Sequence, residues 1–473
     1  MSETFSDLDA HLEAGAAARL ADFVALLSIP SISALPEHRP DLEATAAFIA
    51  ERMRHAGLEH VEVAPTDGPP VVYGDWLRAP RAPTVLVYAH YDVQPVDPLD
   101  LWVKPPFEPR VEEGRVYARG AADDKSHVAM HLAAVEAWLS VRQALPINLR
   151  FLFEGEEESG SENLERWVEA HREQLAADLA VVSDTEFLDG NLPAITSSLR
   201  GMMYAQVDVR GPDLDLHSGG FGGVVRNPAD ALARILASLH DEEGRVAIAG
   251  FYDAVQEPGT RIREEVARLP FDEEAYRQRI GVPELAGEAG WSPLERRGLR
   301  PTCDVNGLWG GFQGEGAKTI IPAHVHAKVS CRLVPDQDPE RIFELFRRHV
   351  IDHAPSGVEV EVHLINTGRP SVTATHHPAV EAAAGVIEAV FGQRPYLIFE
   401  GGSVPVTAVF DKTLGLPVVL LGFMNPDCQA HAPNESLVLD NFEQGIRVIC
   451  RYWEALAEAP LAGQGASGSA SAA

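Results

Sequence analysis

The sequence predicts an α/β protein with two domains: a first built on a mixed, largely parallel sheet flanked by helices, and a second, α+β in character, inserted into it. Three observations lead there. From about Val61 to Val182, β-type apolar runs alternate with helical stretches, the pattern of a sheet with parallel strands and covering helices. After Arg200 the strands instead alternate apolar and polar residues, as half-exposed strands do. Near Pro378 the first texture returns. At 473 residues the chain is also too long for one compact core.

In order along the chain, Leu8 to Leu27 carries apolar residues at helical spacing and is an amphipathic helix. Apolar runs at Val85–Tyr88, Ile147–Phe153 and Leu179–Val182 are strands, separated by helices at Lys125–Val141 and Asn163–Leu175. MMYAQVDVRG opens the inserted domain as a strand. The Gly-rich DLHSGGFGGVVRNP and a helix from about Pro228 to His240 follow it. HVHAKVSCRLV alternates like a half-exposed strand. Asp338 then caps a helix opened by Pro339, with Ile342, Phe343, Leu345, Phe346 and Val350 on its buried side. EVEVHLI is a further strand. The helix Ala379–Phe391 and the run VVLLGF resume the first domain, and LAGQGASGSASAA is a low-complexity tail. The boundaries expected are 1–198 with 376–473 for the first domain and 199–375 for the insertion.

Composition excludes several functions. Acidic residues outnumber basic ones 70 to 39, a formal charge of −31 that repels a phosphate backbone and argues against nucleic-acid binding. No stretch approaches the ~18 to 20 uninterrupted apolar residues of a membrane span, so no membrane partner is expected. MSETFSDLDAHLE lacks the apolar core of a secretory signal. Cys303, Cys331, Cys428 and Cys450 are scattered without a CxxC pair, against a thiolate metal site or a disulfide framework. Together these features predict a cytoplasmic protein.

The chemistry collects where strands end. Val85–Tyr88 runs into His90 and Asp92, Ile147–Phe153 into Glu157 and Glu158, Leu179–Val182 into Asp184, and Val418–Leu421 into a loop with His431. ARGAADDK adds Asp123 and Asp124. In open α/β sheets, ligand sites lie at the carboxyl ends of strands. A histidine alone is more often a hydrogen-bonded core or surface residue, and paired glutamates alone are a common helix start. Independent accidents seldom furnish so many strand ends with hard-metal ligands at once. The set suffices for two nitrogen- and oxygen-ligated cations with one carboxylate left as a base, which points to two-metal hydrolysis. Zinc, manganese and cobalt all accept such ligands.

Two glycine-rich segments do not add a nucleotide site. GFQGEGAKT nearly spells a phosphate-binding loop, but Ala317 displaces Lys318, and Ile-Ile-Pro follows where a helix should. The glycines at 219, 220, 222 and 223 do not make a strand-to-helix GxGxxG turn.

YAHYDVQPVDP, YARGAADDKSH, FEGEEESGSENL, VSDTEF, LHSGGFGG, NGLWGGFQGEGAKTIIP, FEGGSVPV and AHAPNES together resemble the M20 metallopeptidases. Within them they resemble the dipeptidase branch that includes cytosolic nonspecific dipeptidase and carnosinase, over residues from about 20 to 455. The resemblance implies a catalytic domain with an inserted lid and dimerisation domain, and two divalent cations per subunit: Zn2+, with Mn2+ or Co2+ as alternatives. It implies that Asp123 bridges both cations and is joined to Asp124 by a cis bond. His90 and Asp184 would complete one shell, and Glu158 and His431 the other. Glu157 would be the general base on a bridging hydroxide, and Asp92 the brace beside the ligands. His217 would be contributed across a homodimer to polarise the scissile carbonyl. Arg332 would hold the carboxylate of a small peptide substrate, with Ser403 and His377 as further contacts. The family usually has Gly after DDK, where Ser126 stands here.

The activity so implied is metal-dependent hydrolysis of dipeptides. An N-acyl-amino-acid deacylase or desuccinylase on the same scaffold is the nearest alternative. A non-catalytic metal-binding relative would have no use for Glu157, and a two-metal phosphodiesterase fits poorly with an acidic surface.

Overall fold

The strand Thr84–His90 lies at the middle of the first sheet. It runs parallel to Asn148–Glu154 on one side and to Leu179–Val182 on the other. Residues 85–90 are all buried, as expected of a strand covered on both faces. Val418–Leu420 extends the parallel run beyond Leu179–Val182. The flanks turn antiparallel: Asn148–Glu154 pairs with Val71–Trp76, which pairs with Glu59–Ala64, and Val418–Leu420 meets Ala194–Leu199 on the far side. The sheet is therefore mixed and parallel through its centre, the α/β class read from the sequence.

This computed structural model describes residues 5–373, 375–401 and 404–461. They divide into two compact units. The first holds the described residues up to Ser197, from Thr373 to Ile398 and from Val404 onward; the second runs from Ser198 to Val372 and resumes at Phe399.

Helices flank the first sheet. Lys125–Arg142 packs on Ser6–Leu27, Arg39–Ala56 and Leu439–Glu458, and against Thr84–His90. Arg39–Ala56 starts with a proline in its first turn and stops at Gly57, whose φ of 95° lies in the left-handed region that a glycine enters without penalty. Leu439–Glu458 buries Phe442, Ile446, Ile449, Trp453 and Leu456, the spacing of one helix face. Phe442 stacks on Phe23 with ring centroids 4.9 Å apart. Each large apolar side chain so buried contributes about 1.5–3 kcal/mol. Among the described residues no helix is long and apolar enough to cross a membrane.

In the second unit four antiparallel strands lie in the order Thr302–Gly310, His324–Leu333, Gly201–Arg210, Glu359–Gly368. Gly201–Arg210 alternates buried and half-buried residues, so one face makes a core. There Met203, Ala205 and Val207 cluster with Leu232 and Ile235 of helix Pro228–Ala237 and with Ile342 and Phe346 of helix Pro339–Asp352. Asn227 and Asp338 cap these helices, accepting from the N–H groups of Ala229 and Arg341. All four cysteines are free and buried, and Cys303 faces Cys331 directly across two strands.

Two helices end earlier than their sequence patterns suggest: the expected Asn163–Leu175 is Leu164–Ala170, and Pro228 to His240 is Pro228–Ala237. GFQGEGAKT lies between the strands Thr302–Gly310 and Ile320–Ile321 and precedes no helix.

Candidate metal centre

Parallel strands ending on one side deliver the acidic and imidazole groups of the first unit. His90 is the last residue of the central strand and pairs with Glu154. Three residues further on, the chain folds into the turn Glu157–Ser159, and Asp184 follows Leu179–Val182 by two residues. Asp123 precedes helix Lys125–Arg142, and its bond to Asp124 is cis. His431 sits in the loop beyond Val418–Leu420 at a φ of 61°. A side chain there costs roughly 1–2 kcal/mol, so surrounding contacts must hold it.

These positions bring together two groups of potential ligands, His90 with Asp123 and Asp184, and Asp123 with Glu158 and His431, each with its atoms within 4.8 Å of one another. The two oxygens of Asp123 address different imidazoles: Oδ1 lies 3.0 Å from His90 Nε2 and Oδ2 2.9 Å from His431 Nε2. Glu158 Oε2 is 3.2 Å from His431 Nε2 and accepts from Gln94 Nε2 at 2.8 Å. Imidazole nitrogens and carboxylate oxygens are the ligands that borderline and hard divalent cations take. The electrostatics agree, because so many carboxylates are gathered that some are pushed up. Burial, reinforced by Asp123, raises Asp184; burial, opposed by His90 but reinforced by Asp184, raises Glu157. Divalent cations would relieve that crowding, and the donor set fits a pair of them.

The ligands are braced. Asp92 is fully buried and accepts from the backbone N–H of Glu157 through Oδ1 and of Glu158 through Oδ2, both at 3.1 Å. Its carbonyl oxygen lies 3.1 Å from His90 Nδ1, which donates there and leaves Nε2 to face Asp123. Asp124 accepts from the backbone N–H of His90 at 3.0 Å and from His127 Nδ1. His127 Nε2 accepts from the Phe423 N–H at 2.9 Å, so its ring is neutral, in keeping with the burial that holds its pKa at about 3. Sequence reading assigned no part to His127, Gln94 or Glu435. They stand inside YARGAADDKSH, YAHYDVQPVDP and AHAPNES, but their partners lie far along the chain or are backbone groups, apart from Asp124 beside His127, so spacing gives them no separate signal.

The remaining candidates lie elsewhere. In the second unit, His217 is exposed and precedes the short helix Ser218–Phe221, its Nδ1 accepting from the Gly219 N–H at 2.9 Å. Arg332, half-buried on His324–Leu333, pairs with Thr302 and Met202. His377, in the first unit, caps helix Pro378–Phe391 by accepting from the Ala379 N–H at 3.2 Å; burial and then His376 lower its pKa. Ser403 lies outside the described residues.

Known proteins resemble the chain over most of its length. The family described as Peptidase family M20/M25/M40 matches residues 86–455. The Cys-Gly metallodipeptidase dug1 of Schizosaccharomyces pombe is 34% identical over 446 residues, which cover 91% of this chain and 94% of that protein. The Beta-Ala-His dipeptidase of Homo sapiens is 31% identical over 459 residues, covering 93% and 89%. The solved structure of the di-peptidase Dug1p from Saccharomyces cerevisiae matches with a TM-score of 0.79 at 30% identity, covering 97% of this chain and 100% of that one.

Proposed function

The chain belongs to peptidase family M20/M25/M40, and on that premise we propose that it is a metal-dependent hydrolase cleaving the amide bond of dipeptides. One observation carries the reading: two ligand groups share Asp123, and Glu157, which belongs to neither, adjoins Glu158 and feels the charges of His90 and Asp184.

In this reading His90, Asp123 and Asp184 hold one divalent cation and Asp123, Glu158 and His431 the other, with Zn2+ as the native metal and Mn2+ or Co2+ compatible. Bound there, the cations supply Lewis acidity and lower the pKa of a water molecule. Glu157 takes the proton from the attacking water and returns it to the leaving amine. Burial, which raises its carboxyl, supports a group that must both accept and release a proton near neutrality. Asp92 keeps Glu157 and Glu158 aimed by holding their backbone. Arg332 receives the free carboxylate of the substrate through its planar fork, with Ser403 and His377 as further contacts. That preference favours short peptides over proteins.

Residues 1–198 and 376–473 form the catalytic domain in this proposal, and 199–375 a lid through which two copies pair. His217 polarises the scissile carbonyl oxygen in the partner's cleft. The exposed apolar side chains around it, Leu214, Phe221 and Val224, support a paired surface there. Four free cysteines support a cytoplasmic location.

Metal analysis with a screen of dipeptides against N-acyl amino acids tests the activity. Dipeptides should be cleaved with about two cations bound per chain; turnover of N-acyl amino acids alone would replace the assignment by a deacylase. Glu157→Gln should keep its cations and lose turnover by about 10²–10⁴-fold. Normal hydrolysis by that variant would refute the base. For the shared cleft, mixing His217→Ala with Glu157→Gln chains should restore activity to the mixed dimers, up to about half of wild type if the clefts act independently. Mixed dimers as inactive as either parent would refute it.

A further inference from the structure

One carboxylate with no part in the chemistry above takes hydrogen bonds from four consecutive or near-consecutive residues of a single loop. Glu435 is fully buried. Its Oε1 accepts from the backbone N–H groups of Ala122 at 2.9 Å and Asp123 at 3.0 Å. Its Oε2 accepts from the N–H of Gly120 at 2.9 Å and from Arg119 Nη1 at 2.8 Å. Arg119 is itself buried and donates through Nη2 to the carbonyl of Pro95 at 3.1 Å. The backbone of Glu435 belongs to the loop that carries His431 four residues earlier. That loop is closed at its base by the Ser436 N–H donating to the carbonyl of Cys428 at 2.8 Å. The side chain thus ties the loop of Asp123 to the loop of His431.

We propose that Glu435 is a positioning residue that sets the separation of Asp123 and His431, and through it the affinity of the Asp123–Glu158–His431 group for its cation. The inference rests on the two-cation reading given above. It predicts an asymmetric effect because the two groups are anchored differently. His90 is fixed in a strand paired on both sides, and its backbone N–H is held by Asp124, the residue next to Asp123. The relation of Asp123 to His90 therefore survives without Glu435. His431 has no such support: its side chain is 55% exposed, its backbone is left-handed, and it rides on a loop. Besides the pairing of Asp123 with His431 itself, the hydrogen bonds described from the Asp123 loop to the His431 loop run to Glu435, four to its side chain and one, from the Ala118 N–H, to its carbonyl oxygen at 3.1 Å.

Cobalt(II) titrated into the metal-stripped full-length chain, followed by calorimetry and by visible absorption, tests this. In Glu435→Ala the first equivalent should bind within about threefold of wild type while the second weakens by about 10–100-fold, the range for loss of a group that orients a ligand. Glu435→Asp keeps the charge but is too short to reach the same donors, so its loss should again fall on the second equivalent and be smaller. It decides the question alone if near-UV circular dichroism shows Glu435→Ala unfolded. Asn434→Ala cuts loop contacts to Leu101 and Val103 without touching the Asp123 loop and should bind both equivalents as wild type does. Equal weakening of both equivalents, no weakening of either, or a like loss in Asn434→Ala would overturn the proposal. A wild-type chain that binds two cobalt equivalents but cleaves no dipeptide would remove the proposed activity, and the split loss would still decide the role of Glu435.

Discussion

Asp92→Asn keeps the shape of a buried side chain while removing half of its accepting capacity. In the native protein one oxygen serves the N–H of Glu157 and the other that of Glu158. A carboxamide can serve one of them with its oxygen and must turn its NH2 toward the other. One hydrogen bond to a charged acceptor, worth roughly 1.5–3 kcal/mol, is lost, and the survivor falls to a neutral bond weaker by about 1 kcal/mol. The turn Glu157–Ser159 should therefore open more easily by about 3 kcal/mol, a factor of about 100–200. Amide hydrogen exchange of the metal-free protein reads this locally: protection at Glu157 and Glu158 should fall by that factor while the strand amides of Val85–Tyr88 keep theirs. Cobalt affinity should fall about 10–100-fold because Glu158 loses its aim. Turnover at saturating metal should stay low because Glu157 is displaced as well. Unchanged protection at the two glutamates, or wild-type turnover at saturating cobalt, would refute the bracing role.

Two further perturbations probe the scaffold. His131 is buried, hydrogen-bonded to Ser183 and packed edge-on against Phe151, and burial holds its pKa at about 3 against an ordinary 6.5. The unfolded chain then binds more protons between those values, so stability present above pH 6.5 is lost as pH falls toward 3. The loss reaches about 2.7 kcal/mol by pH 4.5, and denaturant unfolding of His131→Gln should show a slope with pH shallower by up to about 1.4 kcal/mol per unit. Gly422→Ala would put a β-carbon 2.0 Å from the carbonyl oxygen of Thr185, backbone that cannot rotate away. Thr185 adjoins Asp184, so the midpoint of thermal unfolding should drop with a loss of about 1–3 kcal/mol, and the cation group containing Asp184 should weaken more than the other.

Much of the centre was legible because its residues stand at the ends of continuous apolar runs. His90, Glu157, Glu158 and Asp184 could be placed at strand ends without knowing the order of the strands, since each follows the end of an apolar run by about two to five residues. Caps such as Asp338 and proline starts at Pro228 and Pro339 fixed helix origins for similarly local reasons. What stayed hidden is non-local. The facing of Cys303 and Cys331 depends on strand pairing, and linear spacing had presented those cysteines as unrelated. The bonds of Glu435 go to backbone amides, which every residue has. The helices Thr260–Ala267, Glu273–Ile280 and Pro293–Gly298 went unread because they are short and carry few apolar residues. The last did offer a signal, the capping box of Ser292 with Glu295, visible as S-x-x-E.

The place of Val418–Leu420 in the first sheet bears on the order in which the protein can be made. It seals the flank of Leu179–Val182, yet it lies more than two hundred residues later in the chain. At about 5–20 residues per second, a ribosome leaves that parallel edge unpaired for roughly 10–50 s. Throughout this interval Leu179–Val182, an entirely apolar strand, presents open N–H and C=O groups to any neighbouring nascent chain. The intervening unit has its own core and can fold meanwhile. Completion of the sheet waits for the last segment, and the same segment brings His431. A truncated or stalled chain therefore carries an open edge and no second imidazole, which makes full-length synthesis a condition of both a sealed sheet and the second ligand group.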